Sequence, residues 1–200
     1  MAPQKLGAST LTYLPNENDQ NQTGNNSYRI VDRLNYASLE QNYQPYQLEE
    51  FKASAIDPEL VLLNITNLDG DRAVGALLWG LAPAERTNPG VAREKYTRPL
   101  QHVRQGGLAF YGVDPVTGER TECLSFKPDR PLSPERKYEN PRQVKPQAIY
   151  PAVTYRIWQM VSGRFNVPLP PDVTLDDLSA SAPEFWLWVI EHNLPTIVTE

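Results

Sequence analysis

Proline is the residue that most limits what this chain can fold into. The 200-residue sequence holds 19 prolines against 11 glycines, and each proline fixes φ and removes a backbone hydrogen-bond donor. Two stretches are especially rich in proline: PDRPLSPERKYENPRQVKP at 128–146 and VPLPPDVTLDDL at 167–178. We therefore expect short helices and small strands joined by extended loops, and no long helix.

Apolar residues at helical spacing between the prolines predict five short helices. Their expected ranges are 48–56, 58–64, 71–79, 154–162 and 182–193. Asp57 before Pro58 is typical of a helix start, Asp71 is expected to cap the third helix, and Ser181 with Glu184 has the spacing of a capping box.

Two runs of β-forming residues, Gly107–Asp114 and Thr121–Lys127, flank the turn-like segment PVTGER. The apolar run Ala148–Val153 is expected to return to the same sheet, and KYE at 137–139 could add a brief strand within the proline-rich loop. The predicted fold class is therefore α+β, with a small, mainly antiparallel sheet between 107 and 153 and short flanking helices.

Three regions are expected along the chain. Residues 1–27 are polar and predict a disordered tail, residues 28–180 predict the α+β domain, and residues 181–200 predict a helix followed by the strand TIVT. No secretory signal or long apolar run is present, so we expect a cytoplasmic protein that does not contact membranes. One cysteine and two histidines are too few for a disulfide or a zinc site.

Positive charge is concentrated in one part of a chain whose net charge is −5. Residues 86–145 contain 12 Lys and Arg against 7 Asp and Glu, together with several aromatic residues. Cations mixed with aromatic rings suit a groove for single-stranded nucleic acid. The candidate binding residues are Lys127, Arg130, Arg136, Lys137 and Arg142. A solvated loop surface, with its aromatic residues belonging to the core, remains the alternative.

The segment from Phe185 to Ile190 is apolar on all sides of the predicted helix. Such a helix is either buried on most sides or available to a partner. Phe185, Trp186 and Trp188 are therefore candidate partner-binding residues. Since Trp186 and Trp188 lie about 200° apart around the axis, we expect one to face the core and the other to be exposed or covered by something else.

The familiar enzyme motifs are missing from this sequence. It has no GxxxxGK[ST] or GxGxxG phosphate loop and no GxSxG nucleophile motif. The segment NLDGDRAVGALLWG matches an EF-hand loop at only some positions, because Ile65 and Ala76 would stand at its first and twelfth ligand positions. These absences argue against an independent enzyme.

Four segments carry a resemblance to a known family: IDPELVLLN, SFKPDRP, KYENP and FWLWVIEHNLPTIVTE. In this order they resemble the N-terminal half of bacterial plasmid- and phage-type replication proteins that carry the domain of unknown function 3854. The resemblance implies a toprim-like α/β core, whose first strand would be TIVT, and often a helicase further along. It also implies that Glu200 is catalytic only in a longer protein, beside Mg²⁺ and a later Asp-x-Asp motif.

The expected function is thus a nucleic-acid-associated leader domain of a primase/helicase-like replication protein. We expect the isolated chain to have no cofactor and no catalysis of its own. Its expected partners are single-stranded DNA and either the missing C-terminal toprim/helicase region or a partner protein. The alternative is a protein-interaction or structural module that uses the aromatic helix at 185–190.

Overall fold

The computed structural model describes residues 35–171 and 181–196. The tail predicted at 1–27 lies outside the described residues. So does Glu200, together with all but the first residue of the predicted strand TIVT.

Short helices and one small sheet make up the described part of the chain. The α-helices are α1 (Pro45–Ala53), α2 (Pro58–Asn64), α3 (Gly70–Ala76), α4 (Glu94–Thr97), α5 (Tyr155–Phe165) and α6 (Phe185–Glu191), with 3₁₀ turns at Tyr36–Leu39, Pro83–Glu85 and Arg98–Gln105. The strands are β1 (Ile65–Leu68), β2 (Gly107–Phe110) and β3 (Ser125–Pro128), and they form an antiparallel sheet in the order β1-β2-β3. The fold is α+β, as predicted.

Alternation of side chains along the strands places a core on each face of the sheet. Leu108 faces a cluster with Leu39, Phe51 and Val61, whereas Ala109 faces a second cluster with Leu77, Leu100, Val103 and Phe126. A third cluster joins α5 and α6 around the buried Trp158. The sheet is therefore buried on both faces although each of its strands has only four residues.

The strand predicted at Ala148–Val153 is wrong, and β1 takes its place in the sheet. Pro151 interrupts the run and cannot donate to a ladder. The side chain of Asn64 binds the run instead: its Nδ2 donates to the Ala152 carbonyl at 2.8 Å, and its Oδ1 accepts from the Ala152 N–H at 2.6 Å. The backbone of Ala152 is thus paired with a side chain and not with a neighbouring strand.

Helix starts agree with the sequence only in part. Asp57 caps α2 as predicted, because its carboxylate accepts the Glu59 N–H at 2.9 Å. The predicted cap at Asp71 is wrong: Asp69 precedes α3, and Asp71 forms an ion pair with Arg104.

The predicted capping box of the last helix is also wrong. Glu184 is the residue at the start of α6, and it makes no side-chain capping bond. Ser181 instead forms a β-bridge with Thr154, at the start of α5. The chain before α6 is therefore held by backbone pairing to another element.

A buried ion cluster fastens α5 to α2. Arg156 donates from Nε to Glu59 at 2.7 Å and from a terminal nitrogen to Asp57 at 2.8 Å. Thr154 donates to the other oxygen of Glu59 at 2.6 Å. Burial on its own lowers the pKa of Arg156, but these hydrogen bonds to carboxylates outweigh it and the pKa is raised. Arg156 therefore stays charged inside the protein.

Candidate nucleic-acid interface

The segment SFKPDRP contains the whole of β3 and the turn that follows it. Its Asp129 N–H donates to the Gly106 carbonyl at 2.9 Å, so the backbone pairing continues one step beyond the sheet. Pro128 and Pro131 restrict the backbone on both sides of Asp129. Lys127, Asp129 and Arg130 are consequently presented from a stiff turn at one end of the sheet.

A side chain of helix α1 fixes the carboxylate of Asp129. Gln47 is only 1% exposed, and its Nε2 donates to Asp129 at 3.1 Å. The same Nε2 donates to Asn67 Oδ1 at 3.3 Å, and Gln47 Oε1 accepts the Gln44 N–H at 2.9 Å as part of the cap of α1. The side-chain amide of Gln47 therefore has little freedom to release Asp129.

Gly106, just before β2, and Gly107, its first residue, allow the turn that carries Asp129 to lie close to this strand. A Cβ on Gly106, whose φ is +113°, would stand 2.7 Å from Asp129 Oδ2. A Cβ on Gly107 would stand 2.3 Å from the Lys127 carbonyl oxygen and 2.7 Å from the ring of Phe126. Both contacts are shorter than packed atoms tolerate, so the geometry of this site requires glycine at both positions.

Two adjoining hollows open around Asp129 and Tyr46, and we call them together the Asp129 depression. The larger, of about 730 Å³, is lined by Tyr46, Gln105, Asp129 and Arg130. The smaller, of about 340 Å³, shares Tyr46 and Asp129 and adds Glu50, Lys127 and Lys137, with several prolines of the loop. Sequence elements far apart in the chain thus line one surface.

Tyr46 lines both hollows of the Asp129 depression, and it is 54% exposed. Partial burial, a hydrogen bond to Asp129 and the charge of Asp129 raise the pKa of Tyr46 to about 12, against an opposing effect of Arg130. The phenol therefore remains a protonated donor at neutral pH. An exposed aromatic ring is suited to stacking against a flat ligand.

The five cations predicted from the sequence divide into two groups. Lys127, Arg130 and Lys137 line the depression, where Lys127 is paired with Glu50. Arg136 and Arg142 are instead held on Glu139, at 2.6 Å and 3.6 Å. The structure therefore brings three of the five together at one site.

Glu139 is a buried anchor for the proline-rich loop. It is 1% exposed, and its backbone pairs with Phe126 at the outer side of β3. The brief strand predicted at KYE is thus reduced to this single bridge. His102 Nε2 lies 3.2 Å from Glu139 Oε1, but the two atoms are not aligned for a hydrogen bond. Arg136 and Arg142 therefore serve first to neutralise a buried carboxylate.

The aromatic helix α6 is largely packed within its own chain. Phe185 and Trp188 are buried against Trp158, at ring-centroid distances of 6.0 Å and 5.5 Å. Trp186 is half-buried, contacts Tyr150 and donates its indole N–H to the Pro151 carbonyl at 2.8 Å. Ile190 is the exposed residue of this segment.

Sequence reasoning did not identify the residues that α1 contributes to the site. Tyr46 and Glu50 are four positions apart on α1, so they share one helix face, and both line the smaller hollow. Gln105 was missed as well, because it ends a short 3₁₀ turn without any motif. The available signal was a tyrosine on the polar side of this short helix.

Other functional chemistry has little support among the described residues. No three His, Cys, Asp or Glu side chains in 35–171 and 181–196 form a group that could hold a metal ion. No helix in these ranges is long and apolar enough to cross a membrane. Burial raises the pKa of Cys123 to about 11, so this thiol is not a ready nucleophile.

Comparisons with protein-family models, curated proteins and solved structures gave no match for this chain.

Proposed function

We propose that this chain is a nucleic-acid-binding leader domain of a primase/helicase-like replication protein and that it holds single-stranded DNA in the Asp129 depression. The observation that carries the proposal is that the exposed side chain of Tyr46 lines one hollow with Arg130 and the adjoining hollow with Lys127 and Lys137. Cations that track phosphates and a ring that stacks on bases are the two parts of a single-strand site.

The resemblance to the replication family is part of the same proposal. In a longer protein of that kind, a toprim-like core would follow this domain, and Glu200 would act there beside Mg²⁺. The domain described here would deliver the strand and leave the chemistry to that core. Single-stranded DNA is the substrate that such an arrangement requires.

Binding at the depression would be local and sensitive to salt. Three cations and two carboxylates, Glu50 and Asp129, line the two hollows, in a chain whose net charge is −5. Only a short stretch of strand would therefore be held. Three phosphate contacts on single-stranded DNA predict a slope of about −2 for the logarithm of the binding constant against the logarithm of salt concentration.

Fluorescence anisotropy with labelled 12-nucleotide strands tests the proposal. Thymine-only DNA, the matching uracil RNA and a duplex of the same length are compared over a series of salt concentrations. We expect both single strands to bind better than the duplex, since the bases of a duplex cannot stack on Tyr46. Equal binding of duplex and single strands would contradict the proposed site.

Two variants locate the binding surface. Arg130→Ala together with Lys137→Ala should reduce the salt slope to about −0.7, because one cation of the three remains. Arg164→Ala is the matched control, since it removes an exposed cation of α5 that lies outside the lining of the depression. If the control weakened binding as much as the double variant, the strand would be bound elsewhere.

The alternative function as a protein-interaction module has weaker support. It relied on Phe185, Trp186 and Trp188 being available to a partner. Two of these side chains are already buried against Trp158, and the indole N–H of the third is already used within the chain.

A further inference from the structure

The carboxylate of Asp129 is not expected in a site that binds only phosphates. Its carboxylate lines both hollows of the Asp129 depression, where Lys127, Arg130 and Lys137 would meet a strand. The negative charge of Asp129 repels phosphate groups and weakens the contacts that the nearby cations would make with the nucleic-acid backbone. A carboxylate is, however, a strong acceptor for the N–H groups of bases.

The carboxylate is also fixed before any ligand arrives. The buried amide of Gln47 donates to it, and the backbone N–H of Asp129 is bound to the Gly106 carbonyl. An ionised carboxylate has about four lone-pair positions, so the two donors from α1, Gln47 and the hydroxyl of Tyr46, still leave capacity for further hydrogen bonds. An acceptor held in this way does not have to be ordered when a base binds.

We infer that the larger hollow reads one unpaired base and prefers guanine, with Asp129 accepting hydrogen bonds from the Watson–Crick edge while the base stacks on Tyr46. This inference rests on the proposed function, because it requires the depression to hold a single strand. It adds a base preference to a site otherwise expected to bind any sequence.

Guanine is the base whose edge matches a carboxylate. Its N1–H and its 2-amino group are adjacent donors, so both oxygens of one carboxylate can be satisfied together. Adenine and cytosine offer one amino group beside a ring nitrogen that is an acceptor, and thymine or uracil offers one N–H between two carbonyls. Each of these bases would turn an acceptor towards the charged carboxylate, which is unfavourable.

Base substitution in the ligand tests the inference on the unaltered protein. Thymine 12-mers carrying a single central guanine, hypoxanthine, adenine or cytosine are compared by anisotropy, with uracil RNA strands as a second series. Hypoxanthine keeps N1–H but lacks the 2-amino group of guanine. We expect the guanine strand to bind about tenfold more tightly than the hypoxanthine strand, in DNA and RNA alike.

A variant then assigns the preference to one side chain. Asp129→Asn keeps the size of the side chain but replaces one acceptor with a donor, so the guanine preference should disappear. Asp114→Asn, in a turn outside the depression, should keep the preference.

The possible outcomes separate the two proposals. Equal binding of guanine and hypoxanthine strands, or a guanine preference that survives Asp129→Asn, would overturn the base-reading inference and leave the proposed function standing. Failure of every strand to bind would overturn both.

Discussion

At the scale of single residues, the most demanding positions are those where backbone segments touch. Gly106 and Gly107 let β2 lie directly against the turn that carries Asp129. The same turn is held by Gln47, which has no charge and no recognisable motif. The geometry of the candidate site therefore depends on uncharged residues as well as on the cations of the loop.

Replacing Gly107 with alanine should destabilise the fold. The added Cβ would meet the Lys127 carbonyl at 2.3 Å, so strands β2 and β3 would have to separate. We expect a loss of about 1–3 kcal/mol in the free energy of unfolding, measured by urea denaturation. Gly75→Ala in α3 is the control: nothing lies within 4 Å of its Cβ, and it should stabilise the protein by about 0.5–1 kcal/mol. A neutral Gly107→Ala variant would contradict the close approach.

Tyr43 should make stability depend on pH in alkaline solution. Burial raises its pKa to about 12, in spite of an opposing effect of Arg120, while the unfolded side chain has a pKa near 10. The folded state disfavours the ionised phenol, so this contribution is complete below pH 10 and is lost as the pH rises towards 12.

The comparison of wild type with Tyr43→Phe isolates this effect. At pH 7 the variant should be less stable by about 1 kcal/mol, because the hydrogen bond from Tyr43 to the Ile65 carbonyl at 2.7 Å is lost. Between pH 10 and 12 the wild type should lose that advantage, as urea midpoints at each pH would reveal. A difference that stays constant over this range would contradict the assignment.

At the scale of secondary-structure elements, polar side chains and not backbone hydrogen bonds join helix α2 to helix α5 and to the segment that precedes α5. Arg156 links α5 to two carboxylates at the start of α2, and Asn64 at the end of α2 binds the run that leads to α5. The cluster around Trp158 is thereby fastened to the part of the chain that contains the sheet.

Arg156→Ala should lower the free energy of unfolding by about 3–5 kcal/mol. The substitution leaves the buried carboxylate of Glu59 without its cation, which costs more than the ion pair itself contributes. Arg164→Ala, an exposed residue on the same helix, should change stability by about 0.5 kcal/mol or less. Thermal and urea unfolding measure both variants, and equal effects would show that the buried pair is not special.

At the scale of the whole molecule, the sheet unites two of the three apolar clusters. Leu108 belongs to the first and Ala109 to the second, so neighbouring residues of β2 serve opposite cores. Because the two cores share the sheet, unfolding of one removes the strand that supports the other. The two cores should therefore unfold together. Cys123, the one cysteine of the chain, is buried in the second cluster.

The Cys123 thiol should report this opening. It is buried and its pKa is raised to about 11, so a disulfide reagent at pH 8 should react with the native protein about a hundredfold or more slowly than with the chain in guanidinium chloride. Absorbance of the released thiolate gives both rates. If the two clusters on either side of the sheet unfold together, the destabilised Arg156→Ala variant should be labelled faster than the wild type. Fast labelling of the native wild type would contradict the burial of Cys123.

How far the sequence predicts this molecule depends on whether a feature is local. The α+β class and the start of α2 at Asp57 follow from neighbouring residues and are confirmed. The strands predicted at Gly107–Asp114 and Thr121–Lys127 are present in shortened form, as Gly107–Phe110 and Ser125–Pro128. Strand β1 was missed because ITNL is short and directly follows a helix, and its pairing with residues about forty positions away decides its conformation.

The candidate site illustrates the same limit. The sequence indicated the cations of the loop, since charge and proline are visible in a window of a few residues. It could not indicate that Arg136 and Arg142 turn towards Glu139 while Tyr46 of α1 joins Lys127 and Arg130. These contacts depend on how distant segments pack, and no local pattern contains that information.

The backbone bridge between Glu139 and β3 also bears on aggregation. Phe126 and Glu139 exchange two backbone hydrogen bonds, of 2.9 Å and 2.7 Å, along the outer edge of β3. An uncovered edge of this kind could recruit a strand from another molecule. Here the edge is occupied by a segment with Pro134 and Pro141 on either side, which cannot itself extend as a strand. The proline-rich loop thus presents the cations at the site and also covers this edge of β3 against intermolecular strand pairing.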